Sequence, residues 1–139
     1  ILVAEDEAIN RKLMQVFLQR LDFTCDFAVN GRETLTKMRL KRYDIVFLDI
    51  QMPEMSGLEV LEVVRRDRDL AGTVVVALTA NAIKGDSEKY IVAGCDDYLA
   101  KPVSLEMLGE KIAYWRQRAG RRGEWKSHER QDNRTPPRE

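Results

Sequence analysis

Along residues 1–116, short apolar runs alternate strictly with stretches of helical periodicity, and no other feature restricts the fold as much. Ile1 to Ala4 reads as a strand; Ile9, Leu13, Phe17 and Leu21 then recur every four residues, the spacing of one helix face. Thr24 to Val29 sets Cys25, Phe27 and Val29 against Thr24, Asp26 and the small Ala28, as a half-exposed strand does. Asn30 followed by Glu33 has the form of an N-cap pair opening a short helix that turns Leu35 and Met38 inward. Tyr43 and the run Ile45 to Leu48 form a strand buried on both faces that ends abruptly in Asp49, with a turn through Pro53 and Gly57 behind it.

Ser56 and Glu59 repeat the capping pattern before Leu58, Leu61 and Val64, a third helix that runs out in Arg65-Arg66-Asp67-Arg68. Thr73 to Leu78 is a valine-rich buried strand. A weaker helix over Lys84 to Ala93 stops at Gly94, placed as a C′ glycine, and its thin apolar face predicts one of the more mobile elements. Asp96 to Ala100 is a short fifth strand, and Ser104 caps a last helix with Leu105, Leu108, Ile112 and Trp115 on one side.

Alternating units of this kind build a parallel sheet with helices on both faces. The first, third and fourth strands are the most uniformly apolar and belong in the centre; the alternating second and the short polar fifth belong at the edges. The expected architecture is therefore a doubly wound α/β (βα)5 three-layer sandwich with strand order 2-1-3-4-5.

Charge divides the chain in two. Residues 1–116 hold 16 Lys/Arg against 19 Asp/Glu, and residues 117–139 hold 7 against 4. Gly120-Arg121-Arg122-Gly123 reads as a helix break and Asn133 to Pro137 cannot build a core, so 1–116 is expected to be the folded domain and 117–139 a basic, disordered tail or linker. Its cations are too diluted by anions to indicate nucleic-acid binding. No apolar run approaches the ~18 residues of a membrane span, and the opening strand leaves no room for a signal peptide. The absence of an initiator Met suggests a piece of a longer protein or a trimmed chain, and a cytoplasmic location is expected. Cys25 and Cys95 lack metal-ligand spacing and read as small thiols in a reducing compartment.

In a parallel sheet the residues just past the carboxyl ends of the strands gather on one edge. Here they are Glu5, Asp6 and Glu7 after the first strand, Asp49 after the third, Thr79-Ala80-Asn81 after the fourth and Lys101 after the fifth. Three carboxylates in one crevice raise one another's pKa unless a cation neutralises them, and a hard divalent ion with oxygen ligands, Mg²⁺, resolves the conflict. A carboxylate nucleophile, a metal, an ammonium and a hydroxyl are together the parts that bind and stabilise a transferring phosphoryl group. Taken singly each has a plainer role: Thr79 as a strand-end hydroxyl, Lys101 as a surface ion-pair partner, Glu5 to Glu7 as an acidic first helical turn.

Glu5-Asp6, Asp49 within Leu-Asp-Ile-Gln-Met-Pro, Ser56-Gly57, Leu78-Thr79-Ala80 and Lys101-Pro102 stand in an order and at a spacing that resemble the receiver domains of two-component response regulators, over residues 1–116. Asn10, Asn81-Ala82, Gly85-Asp86 and Ala93 to Val103 resemble more narrowly the receivers of hybrid sensor histidine kinases. The resemblance implies a flavodoxin-like fold with Asp49 as phosphoacceptor, and Mg²⁺ held by Glu5, Asp6, Asp49 and the Gln51 carbonyl. Glu5 stands where many members carry Asp, and its longer arm can reach the metal through water. The resemblance further implies that Thr79 and Lys101 contact the phosphoryl oxygens, that the Tyr98 rotamer follows Thr79, and that Lys101-Pro102 is a cis peptide. Gln51 and Asn81 flank the expected phosphoryl position.

The implied function is a phosphorelay receiver that takes a phosphoryl group from a histidine kinase or histidine phosphotransfer protein. It then switches the face built by the fourth helix, fifth strand and fifth helix, toward an output domain or protein or a second copy in a homodimer. Beyond its own phosphotransfer and dephosphorylation no enzyme activity is expected: the single histidine, His128, lies in the tail and no nucleotide-binding glycine motif is present. The competing readings are a docking module that works without phosphorylation and an enzyme on the same architecture. A flavin-phosphate site is disfavoured by Glu5-Asp6-Glu7, and a dehalogenase-type phosphatase by Gln51, where a second Asp is wanted.

Overall fold

The computed structural model describes residues 1–80, 89, 91 and 93–121. Five parallel strands, β1 (Leu2–Ala4), β2 (Asp26–Ala28), β3 (Ile45–Asp49), β4 (Val74–Thr79) and β5 (Asp97–Ala100), form one sheet in the order β2-β1-β3-β4-β5. The expected order is the observed one. Strand pleating assigns side chains alternately to the two faces. Leu2, Ala4, Val46, Leu48, Val75 and Ala77 bury into one core, while Val3, Ile45, Phe47, Val74, Val76 and Leu78 bury into the other. Helices α2 (Gly31–Leu40) and α3 (Gly57–Arg66) cover the first core through Leu35, Met38, Val60, Leu61 and Val64. Helix α1 (Ala8–Arg20) and a C-terminal helix (Leu105–Arg121) cover the second through Met14, Leu18, Leu108 and Ile112.

The expected caps form. The Asn30 side chain accepts from the Glu33 amide, Ser56 and Glu59 close a reciprocal capping box, and Ser104 accepts from the Met107 amide at 3.1 Å. Gly94 has φ 117°, a conformation that suits a residue without Cβ. Lys101-Pro102 is cis.

Two expectations shift. The row Ile9, Leu13, Phe17, Leu21 is not the buried face of α1: Ile9 is 82% exposed and Leu13 38%, whereas Met14 and Leu18 lie in the core. Steps of four residues rotate a row by roughly 40° each time, so its start has turned to solvent when its end reaches the sheet. The last helix also runs through Gly120 to Arg121, past the expected boundary at 116. Most of the expected helix over Lys84 to Ala93 and the tail beyond 121 fall outside the described residues, Asn81 with them; Lys89 and Ile91 are helical. Among the described residues no helix is long and apolar enough to cross a membrane.

Candidate functional site

The carboxyl ends of β1, β3, β4 and β5 converge as the topology requires. Asp49 is the last residue of β3 and Thr79 the last of β4; Glu5 and Asp6 follow β1, and Lys101 follows β5. Backbone bonds hold these ends in register: the Glu5 amide donates to the Ala28 carbonyl, Ile50 to Leu78 and Lys101 to Thr79, at 2.9 to 3.1 Å. The turn after β3 folds straight back on the sheet, with the Gly57 amide donating to the Ile50 carbonyl at 2.9 Å. A Cβ on Gly57 would lie 2.5 Å from the Asp49 carbonyl oxygen, so only glycine permits this approach, which holds Asp49 against the head of α3.

Glu5, Asp49 and Thr79 are almost wholly buried, while Asp6 is half-buried. The Lys101 ammonium sits between two carboxylates, 3.1 Å from Glu5 Oε1 and 3.1 Å from Asp49 Oδ2. The Gln51 amide donates to Asp49 Oδ1 at 3.0 Å. Glu5 Oε2 accepts from the Glu7 amide at 3.3 Å and lies 3.5 Å from the Asn10 amide nitrogen, which also donates to Glu7 Oε1 at 2.9 Å. The Arg11 guanidinium donates to the Glu5 carbonyl at 2.9 Å.

Burial pushes the Asp49 carboxyl up, and the charge of Glu5 adds to it; the Gln51 amide and Lys101 pull the other way, leaving it at about 7. Burial lowers the Lys101 ammonium, but its hydrogen bond to Glu5 and the charge of Asp49 outweigh that and hold it above its usual value, so it stays cationic. The site therefore has more buried negative charge than Lys101 cancels. Glu5, Asp6 and Asp49 each offer an oxygen within 4.8 Å of the others. Hard oxygen donors in surplus over the local cation fit a divalent metal such as Mg²⁺.

The sequence-derived residues Glu5, Asp6, Asp49, Thr79 and Lys101 are thus brought to one place. Gln51 joins them through its amide, and its side chain is exposed. Tyr98 stands apart on β5, half-buried, with the Lys111 ammonium 5.9 Å from its ring centroid. Asp97 beside it accepts from Lys111 and from the Trp115 indole, at 2.8 and 2.9 Å, and so ties β5 to the C-terminal helix. Sequence reasoning did not find the part played by Arg11. A cation in the opening turns of a helix opposes the dipole, and that anomaly was a signal that it has a specific partner.

The model of the response regulator receiver domain family matches residues 1–113. Hybrid signal transduction histidine kinase G of Dictyostelium discoideum is 40% identical over 111 residues, covering 78% of this chain and 3% of its own length. The chain spans 27% or less of the first curated relatives it matches, which include a fission-yeast response regulator. Among solved structures, a Saccharomyces cerevisiae co-crystal of a histidine phosphotransfer protein with the receiver domain of its downstream response regulator matches with TM-score 0.75 and 32% identity, over 82% of this chain and 86% of that one. The receiver domain of a Pseudomonas aeruginosa sensor histidine kinase, with a magnesium ion coordinated in its active-site cleft, matches with TM-score 0.76 and 29% identity, over 82% and 93%.

Proposed function

The chain belongs to the response regulator receiver domain family, the phosphoacceptor modules of two-component phosphorelays, and from that premise we propose that Asp49 takes the phosphoryl group. The observation that carries this is the pairing of a buried carboxylate at the tip of β3 with a shared ammonium: Lys101 reaches both Asp49 and Glu5 at 3.1 Å. A carboxylate oxygen of Asp49 attacks phosphorus while the bond from phosphorus to the donor imidazole, protonated on its other nitrogen, breaks, leaving neutral histidine on the donor and an acyl phosphate here. Lys101 then faces the phosphoryl oxygens, and Thr79, one strand over, donates its hydroxyl to them. Glu5, Asp6, Asp49 and the Gln51 carbonyl would hold Mg²⁺ there. The ion would supply neutralisation of the charge that develops on the transferring oxygens.

The donor is a phosphohistidine on a histidine kinase or a histidine phosphotransfer protein in the cytoplasm. In support, Ile9, Leu13 and Val16 leave an exposed apolar strip on α1 that begins three residues past Asp6. The output runs through Tyr98, whose ring follows Thr79 as that hydroxyl is drawn to the phosphoryl group. Burial or release of Tyr98 then remodels the face it shares with Lys111 toward an output partner or a second copy. Residues 1–121 form the receiver and the remainder a linker or tail.

Intact mass after incubation with acetyl phosphate and Mg²⁺ tests the assignment. One phosphoryl group is expected on the wild type and none with chelator or in Asp49→Asn. Undiminished labelling of Asp49→Asn would refute the role of Asp49. A wild type that binds Mg²⁺ yet takes no phosphoryl group, even from a phosphohistidine protein, would leave a docking module that works without phosphorylation.

A further inference from the structure

We propose that Asn10 and Arg11 are positioning residues for phosphoryl transfer: from the first turns of α1 they fix the pose of Glu5, and Glu5 in turn fixes Lys101. The inference rests on the reading of Asp49 as phosphoacceptor and adds to it a device for keeping the nucleophile free.

Glu5 has little freedom left. Its carbonyl accepts from Arg11 at 2.9 Å, its Oε1 holds the Lys101 ammonium at 3.1 Å, and its Oε2 lies against the Glu7 amide and the Asn10 side chain at 3.3 and 3.5 Å. The Asn10 amide stands between two like charges, with Glu7 Oε1 at 2.9 Å on its other side. A side-chain amide has two N–H donors, one for each carboxylate, and no other uncharged side chain of its size offers both. The pair Asn10 and Arg11 therefore holds the loop after β1 from side chain and backbone at once.

The consequence reaches Asp49. Lys101 is shared between Glu5 and Asp49 at equal distances. While Glu5 is pinned, its charge retains half of the lysine's attention, and Asp49 keeps an oxygen available for metal and for attack. If Glu5 swings away, the ammonium closes on Asp49, its remaining ion-pair partner among the described residues, and the nucleophile is tied up in an ion pair that a metal or an incoming phosphoryl group has to break. Groups outside the ligand set that orient such residues commonly change metal affinity by about 10-fold or more.

The test uses the whole chain and two readouts, Mg²⁺ affinity by titration calorimetry and the rate of acetyl-phosphate labelling. Asn10→Ala and Arg11→Met are expected to weaken Mg²⁺ binding about 10-fold and to slow labelling most at low Mg²⁺, with thermal midpoints close to wild type. Asn10→Gln and Arg11→Lys, which restore a donor, are expected to recover most of both. Mg²⁺ affinities equal to wild type in Asn10→Ala and Arg11→Met overturn the proposal, as does a loss that neither Asn10→Gln nor Arg11→Lys recovers. If the wild type takes no phosphoryl group from acetyl phosphate or from a phosphohistidine protein, the reading of Asp49 fails on its own, and the calorimetric arm still decides whether Asn10 and Arg11 organise the acidic pocket.

Discussion

At the amino edge of the sheet Arg65 donates four bonds: to the Gly94, Ala71 and Thr73 carbonyls and to Asp96, each at 2.8 Å, while Asp96 also accepts the Val75 amide. At the carboxyl edge Lys101 divides one charge between Glu5 and Asp49, with Asp6 within reach of both. The amino edge is matched and partly open to solvent, with Asp96 exposed, whereas the carboxyl edge buries Glu5 and Asp49 and is left in deficit. Matched groups fasten α3 to the starts of β4 and β5 and stabilise the fold. Unmatched ones stay poised for a cation and a phosphoryl group and cost stability until these arrive. The strand ends are the same kind of scaffold in both cases, so the difference lies in burial and in the balance of charge.

The largest effect that can break this contrast is at the matched edge. Arg65→Met keeps the stem and removes all four donated bonds, leaving three backbone carbonyls and a carboxylate short of a partner. A loss of about 2–4 kcal/mol is expected, less than four independent bonds because water reaches part of the site. Urea denaturation measures it. Labelling of the surviving folded protein at Asp49 is expected to proceed at the wild-type rate per folded molecule. A variant with wild-type stability would mean that the network merely decorates the edge.

At the unmatched edge the sign reverses. Burial and the charge of Glu5 hold the Asp49 carboxyl at about 7 against 3.8 for the free group. The folded state thus binds this proton more tightly than the unfolded chain does. Stability from this group is complete below about 4 and is lost as pH rises toward about 7. Asp49→Asn removes the unneutralised charge and is expected to stabilise the metal-free protein at neutral pH by about 1–3 kcal/mol. It is also expected to lose most of the stabilisation that Mg²⁺ gives the wild type. Thermal midpoints with and without Mg²⁺, at pH 5 and 7.5, check both. A destabilised Asp49→Asn would place Asp49 with the matched groups and erase the distinction.

Much of this was legible in the chain. Apolar runs ending in Asp49 and Thr79, with acids after the first strand and Lys101 after the fifth, needed only parallel topology to meet. The caps at Asn30, Ser56 and Ser104 are local chemistry that a sequence displays directly. What stayed hidden depends on rotation and reach. Ile9 and Leu13 share a helical row with Phe17, yet the row winds away from the core, and only the docked helix shows where the seam falls. Arg65 looked like one of several cations ending a helix, because its partners lie 6 to 31 residues further along the chain. Arg11 reaches back six residues to a backbone carbonyl, which no side-chain pattern advertises.

The smallest test returns to the matched edge, where Asp26 Oδ2 accepts from the Tyr43 hydroxyl at 2.6 Å and from Lys41 at 3.1 Å. Partial burial pushes the Asp26 carboxyl up, but those two donors outweigh it and hold the carboxyl below its usual value. Its contribution is therefore present above the unfolded value near 4 and disappears as pH falls through the lowered folded value, opposite in slope to Asp49. Tyr43→Phe preserves the ring in the core and deletes one donor, so a loss of about 1 kcal/mol is expected at pH 7, the low end for a charged acceptor because Asp26 is partly exposed. At pH 3 the gap to wild type should narrow, since a protonated carboxyl has less to lose. Urea midpoints of both proteins at the two pH values decide it. A gap that stays constant would mean that the hydroxyl contributes by packing alone, and that the acid slope of this edge originates elsewhere.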